Sequence, residues 1–218
     1  MRNLVILGVL LFWVGVAQAT SFQNGDFETG DFTGWSGSLV DVNDNETIVD
    51  PDTNDLFSII PNAGPNNSNV AQVEVNDTYW SATLYQDFTL DSLLPGWTMD
   101  ITFWIWWDPS NSSEDGVSAT LGDSGGATSI DLLSGVSDSA LLSGTWVTAD
   151  ITTFAQTYGG QGVELTFTIQ DVDWDTSDTL QIDEISFRKH APAPVPEPAT
   201  ILLFAPSLAF LFRKKVKR

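Results

Sequence analysis

The sequence predicts an all-β protein, a β-sandwich, and three observations carry the prediction. Apolar residues recur at every second position in a series of short segments. Stretches rich in Gly, Asn, Asp and Ser separate those segments. No segment carries a 3.6-residue apolar stripe over three helical turns. Short strands with no repeating period fit two packed antiparallel sheets better than a propeller or a solenoid.

In chain order, Val70 to Val75 is the first clear strand. Ala82 to Leu90 alternates, placing Ala82, Leu84, Phe88 and Leu90 on one face. Ile101 to Trp107 turns Ile101, Phe103, Ile105 and Trp107 inward and leaves Thr102, Trp104 and Trp106 on the other face. Val117 to Leu121, Trp146 to Ile151, Val163 to Ile169 and Leu180 to Phe187 complete the set. The last segment changes parity: Leu180 and Ile182 point one way, Ile185 and Phe187 the other. A bulge near Asp183 is therefore expected. Connections are expected at Asn43–Asn54, Asn62–Asn69, Pro109–Gly116 and Gly159–Gly162.

Charge decides what this domain does not do. Every Lys and Arg lies at Arg2, Arg188, Lys189 or beyond Phe212, so no residue from Asn3 to Phe187 is basic. All of the 29 Asp and Glu except Glu197 fall inside that interval. Such a surface repels nucleic acid and anionic lipid, and salt or divalent cations should relieve its self-repulsion. The chain has no cysteine, which excludes thiol chemistry and zinc–thiolate sites. Its single histidine, His190, follows the last strand, so Ser–His and Cys–His arrangements are excluded within the domain. Carboxylate pairs suitable for glycoside hydrolysis remain, but with so many acids a pair alone identifies nothing. A non-enzymatic binding or structural role at the cell surface or in its matrix is expected, with selective binding of one glycan as the runner-up and a polysaccharide hydrolase third.

The two ends read as addresses. Arg2, the apolar run Leu4 to Val16 and Ala17-Gln18-Ala19 form a secretory signal peptide over residues 1–19, a substrate for the Sec translocon and signal peptidase. An acidic domain over 20–190 and a stiff linker over 191–195 follow. At the far end, Pro196-Glu197-Pro198 precedes the apolar run 199–212, and a basic tail over 213–218 begins Arg213-Lys214-Lys215. The cations act as a membrane stop on the cytoplasmic side. The 14-residue run reaches about 21 Å as a helix against a hydrocarbon core of about 30 Å, so it spans only with local thinning.

In motif, span and tail this segment resembles the PEP-CTERM sorting signal of Gram-negative bacteria. The resemblance implies anchoring in the inner membrane with the domain outside the cytoplasm. Processing by an exosortase near Pro196–Pro198 and transfer to the cell surface or extracellular matrix would follow, with extracellular polysaccharide as a partner.

Two further stretches carry a second resemblance. Asn24-Gly-Asp-Phe-Glu-Thr-Gly-Asp-Phe-Thr-Gly-Trp35 and Gln181-Ile-Asp-Glu-Ile-Ser-Phe187 are similar to the opening and closing strands of galactose-binding-like jelly rolls, the fold of many carbohydrate-binding modules. That resemblance implies a structural calcium held by Glu28 and Asp183, with Asp26 and the carbonyls around Gly30 and Asp31 completing the shell. The plainer alternative makes Asp26 and Asp31 turn residues and has Asp183 cap the bulge. Trp104 and Trp106 would suit a stacking platform for sugar rings, or else pack beneath a loop. Asp171-Val-Asp-Trp-Asp-Thr-Ser-Asp178 superficially resembles an acidic EF-hand loop but lacks its mid-loop glycine and terminal glutamate. It reads as a solvated acidic loop or as a second, weaker calcium loop.

Overall fold

The computed structural model describes residues 21–109, 115–172 and 178–193. The expected signal peptide, the Pro196–Pro198 motif, the apolar run 199–212 and the basic tail lie outside the described residues. The first strands are β1 (Ser36–Asp41), β2 (Glu46–Val49), β3 (Phe57–Ile60) and β4 (Val70–Glu74). Two long strands follow, β5 (Tyr79–Thr89) and β6 (Thr98–Asp108), then β7 (Gly116–Asp123) and β8 (Ser129–Asp131). A short helix α1 (Asp138–Leu141) leads to β9 (Thr145–Asp150). Helix α2 (Thr152–Tyr158) then precedes β10 (Gly162–Gln170) and β11 (Thr179–His190).

One sheet runs β2-β1-β5-β10-β7-β8 and the other β3-β4-β11-β6-β9, with every pairing antiparallel. From β4 to β7, and again from β8 to β11, consecutive strands alternate between sheets, so the chain wraps around the core instead of meandering within one layer. The alternation read from the sequence holds: Ala82, Leu84, Phe88, Leu90, Ile101, Phe103, Ile105 and Trp107 are all buried. Gln86 breaks the apolar face of β5, and both the oxygen and the nitrogen of its amide are hydrogen-bonded. Its Oε1 accepts from Gln23 N–H at 2.8 Å, and its Nε2 donates to Gln23 O at 3.0 Å.

The bulge expected near Asp183 is present. The register of β11 on β6 slips between Asp183 and Ser186, with Glu184 at φ 53°. This returns Ile185 to the interior behind Ile182. The opening motif docks against that bulge, where Ile185 N–H donates to Gly25 O at 2.8 Å. Phe27, Phe32 and Trp35 drop into the core from this segment, and Trp35 Nε1 donates to Asn24 O at 3.1 Å. Gly25 is required here, since a Cβ would come within 2.4 Å of Ile185 O.

Several expectations are corrected. The connection expected over Asn43–Asn54 contains β2, whose residues are mostly exposed and so lack an alternating signal. β1 and β3 are short, and β8 has only 3 residues. Val75 and Ile151, placed at strand ends, fall just outside β4 and β9, and Ile151 instead caps α2. That helix has 7 residues and buries only Phe154 and Ala155, too little for a periodic stripe.

Candidate functional site

Three surfaces bring chemistry together. The first lies at the β11 bulge. Asp183 is fully buried; its Oδ1 accepts from Glu184 N–H at 2.6 Å and its Oδ2 accepts from Ser68 Oγ. Burial pushes its carboxyl up to about 6, helped by the nearby charges of Glu184 and Glu28 and opposed by the two hydrogen bonds. Glu28 Oε1 accepts from Asn69 N–H at 2.7 Å, tying the opening motif to the loop after β3. That loop approaches closely: a Cβ on Gly64 would lie 2.5 Å from Asp183 Oδ2. Backbone conformations that non-glycine residues rarely adopt gather here, with Asn24, Phe27 and Glu184 at φ 48°, 49° and 53°.

Of the four residues expected at the calcium site, Glu28 and Asp183 lie together at this bulge. Asp26 and Asp31 are occupied as turn residues. Asp26 Oδ1 accepts from Glu28 N–H at 3.4 Å, while Asp31 Oδ1 accepts from Thr29 Oγ1 at 2.8 Å and Thr33 N–H at 3.0 Å. The Thr33 and Thr29 bonds hold the Asp31 carboxyl below the usual carboxylate range. Among the described residues these four do not converge as a ligand cluster. The one group of three acids that does is Asp115, Asp171 and Asp178. The sequence flagged two of these three as the ends of a solvated loop, whereas the structure buries both.

The second surface is the outer face of the five-stranded sheet. Trp104 and Trp106 both lie on it, half-buried. Trp106 Nε1 donates to Leu142 O at 3.1 Å, and Gly144 sits against Trp104, where a Cβ would come within 2.8 Å of the indole. The segment before β9 therefore covers part of the expected platform. Directly across from Trp104, Trp146 of β9 is 49% exposed. The sequence reading assigns Trp146 to a strand but not to this aromatic surface, because a single aromatic in that strand carries no pattern. Across Trp106 stand Gln181 and Gln72, linked by a 2.7 Å hydrogen bond, and Gln72 donates to Glu74 Oε1 at 2.7 Å. Trp146 also walls a polar cleft of about 470 Å³ at the open edge of the sandwich, with Asp131, Ser134, Thr148 and Asp150. Hydrogen bonds from Thr152 keep the Asp150 carboxyl low, so it presents a charge to that cleft.

The third surface, the outer face of the six-stranded sheet, has hydroxyls and carboxylates in place of indoles. Tyr85 stands beside Thr166, and Glu164 is paired across strands with Asp87. Burial raises both the Tyr85 hydroxyl and the Glu164 carboxyl, and the charge of Asp87 adds to each. His190, expected beyond the last strand, is instead the final residue of β11, because the pairing with β6 continues to Thr98, and it bonds Asp100 Oδ2 at 2.7 Å.

No family model and no curated protein matches the chain. Among the described residues no helix is long and apolar enough to cross a membrane. Solved structures do match. A cyclase from Fischerella sp. TAU aligns at 15% identity and TM-score 0.48, over 80% of this chain and 98% of that one. The non-crystalline cellulose specific module CBM28 aligns at 16% and 0.44, over 79% and 96%. TmCBM61, solved in complex with β-1,4-galactotriose, aligns at 15% identity and TM-score 0.51, over 78% of this chain and 99% of that one. The likeness to TmCBM61 shows the fold alone: a jelly-roll β-sandwich.

Proposed function

We propose that this chain is a non-catalytic polysaccharide-binding domain exported from the cytoplasm and sorted through its C-terminal signal. One observation carries the binding reading: Trp146 is 49% exposed on the wall of a polar cleft of about 470 Å³, beside Trp104 and Trp106. An exposed indole offers a flat apolar face to a sugar ring, while Asp131, Ser134, Thr148 and Asp150 offer partners to its hydroxyls. The size lies within the range of small-ligand sites. The shared fold supports this reading, since the TmCBM61 structure holds a galactotriose.

Affinity electrophoresis of the purified protein through gels containing β-1,4-galactan, cellulose derivatives or native exopolysaccharide tests the proposal. Trp146→Ala should abolish retardation while circular dichroism stays unchanged, because the side chain is half in water. Retention unaltered by both Trp146→Ala and Trp106→Ala would overturn it. Turnover of any of these polysaccharides, lost in Glu164→Gln, would instead favour the hydrolase.

The sorting half rests on Pro196, Glu197, Pro198, the apolar run 199–212 and the stop formed by Arg213, Lys214 and Lys215. It places the protein in the inner membrane, then hands it to an exosortase for release to the surface or the surrounding polysaccharide. Intact-mass measurement of the mature native protein reads this directly: a product ending near Pro198 is expected. A structural calcium belongs to the same reading. Glu28 and Asp183 would hold it, with loop carbonyls replacing Asp26 and Asp31, which are engaged in turns.

A further inference from the structure

The geometry points to a second cation site, built from Asp115, Asp171 and Asp178, that binds a calcium ion and staples the two sheets together. β7 and β10 are paired up to Gly116 and Gln170, so Asp115 and Asp171 are the next residues of that ladder. Asp178 comes from the other sheet, just before β11, where its carbonyl accepts from Val75 N–H at 3.3 Å. The three side chains are 8%, 1% and 0% exposed, and one carboxylate oxygen of each lies within 4.8 Å of the others.

A second observation gives this cluster a ligand to expect. Asp115 commits Oδ1 to Val172 N–H at 2.9 Å, but its Oδ2 is buried with no hydrogen-bond partner. A buried carboxylate oxygen without a donor is costly unless a cation takes its place. No base exists from Asn3 to Phe187. The bases that end β11 begin nine residues beyond Thr179, about 30 Å along the strand. Lys189 is paired there with Asp91 and His190 with Asp100.

Calcium fits the spacing. With Ca–O distances of 2.3–2.6 Å, ligands at opposite poles stand about 4.6–5.2 Å apart, which accommodates oxygens within 4.8 Å. Magnesium, at 2.0–2.1 Å, needs a tighter shell. Backbone carbonyls and water would supply the remaining oxygens.

The full chain, treated with chelator and then titrated with calcium by calorimetry and thermal melting, tests this. Terbium provides a local readout, because Trp107 lines the same cleft as Asp115 and can sensitise its luminescence. In an Asp183→Asn background, which removes the other proposed site, calcium should still raise Tm by about 5–10 °C at a hundredfold excess over Kd. Adding Asp115→Asn or Asp171→Asn should erase that rise and the terbium signal. In chelator, either variant should melt no lower than its parent, since it removes one of three mutually repelling charges. A calcium response in Asp115→Asn and Asp171→Asn equal to the parent's, or no response in the Asp183→Asn parent, would overturn the site. Should both variants fail to fold, native mass spectrometry of the unsubstituted protein still decides. Two bound calcium ions support the site, and one, retained in Asp183→Asn, also supports it. None in Asp183→Asn refutes it.

Discussion

Two places in this sandwich bury carboxylates, and they meet the cost differently. At the β11 bulge a single acid, Asp183, is surrounded by donors the chain itself provides, Ser68 Oγ and Glu184 N–H, and only its neighbours Glu28 and Glu184 add charge. At the meeting of β7, β10 and β11 three acids converge, and Asp115 Oδ2 has no donor at all. Hydrogen bonds can carry one buried carboxylate; they do not cancel the repulsion among three. The contrast separates a carboxylate satisfied by the chain itself from a cluster that the proposed cation would satisfy. Loss of metal should therefore be felt mainly where the two sheets are joined.

The largest effect that sharpens this contrast is on pH. In chelator, Asp183 titrates at about 6 in the folded chain against 3.8 for an ordinary aspartate. A folded pKa above the unfolded one means that the native state holds the proton more tightly between those values. Its contribution to stability is fully present below 3.8 and is lost as pH rises through 6. The shift corresponds to at most about 3 kcal/mol, reduced by solvent screening around exposed Glu28. Melting temperatures from pH 4 to 7 in chelator should show this loss, and Asp183→Asn should flatten it. A wild-type profile with the same slope as that variant would remove Asp183 from the account. Saturating calcium should also flatten the wild-type profile if the metal holds the carboxylate ionised.

A smaller, local perturbation breaks only one half of the comparison. Gly64→Ala would place a Cβ 2.5 Å from both Asp183 Oδ2 and Ser68 Oγ and 2.8 Å from Val70 Cγ1. Overpacking of this kind costs about 1–3 kcal/mol, read as a lower denaturation midpoint with an unchanged m-value. The calcium response of Asp115, Asp171 and Asp178 should survive it. If Gly64→Ala abolished that response too, the two sites would not be independent.

The sequence made the fold legible where strands are long and half-buried. β5, β6 and β10 alternate because one face of each meets the core. The parity change in β11 revealed a bulge before any coordinate did. Short β2 and β8 carried no signal, because edge strands exposed to water need no apolar period. Glu28 and Asp183 were visible through the motifs at the two ends of the domain. Asp115 was not. It is one acid among many, and only the pairing of β7 with β10 and the arrival of β11 give it company. Trp104 and Trp106 were legible as outward-facing residues; that Gly144 and Leu142 cover part of them follows from a loop no periodicity describes.

The smallest expected effect tests the electrostatic half of the comparison alone. Val172 is 50% exposed, and its N–H holds Asp115 Oδ1, so its backbone lies beside the acids while its side chain does not fill the core. Val172→Lys would place beside them a cation of the kind that residues 3–187 lack. A solvent-exposed charge of this kind is worth about 0.2–1 kcal/mol. In chelator the variant should melt slightly higher than the parent, and its calcium affinity should fall about two- to fivefold, with both differences shrinking in high salt. The same substitution at Val42, which is 53% exposed in the turn after β1, should change neither quantity. Equal effects at the two positions would mean that overall negative charge, and not the meeting of three carboxylates, sets the demand for a cation.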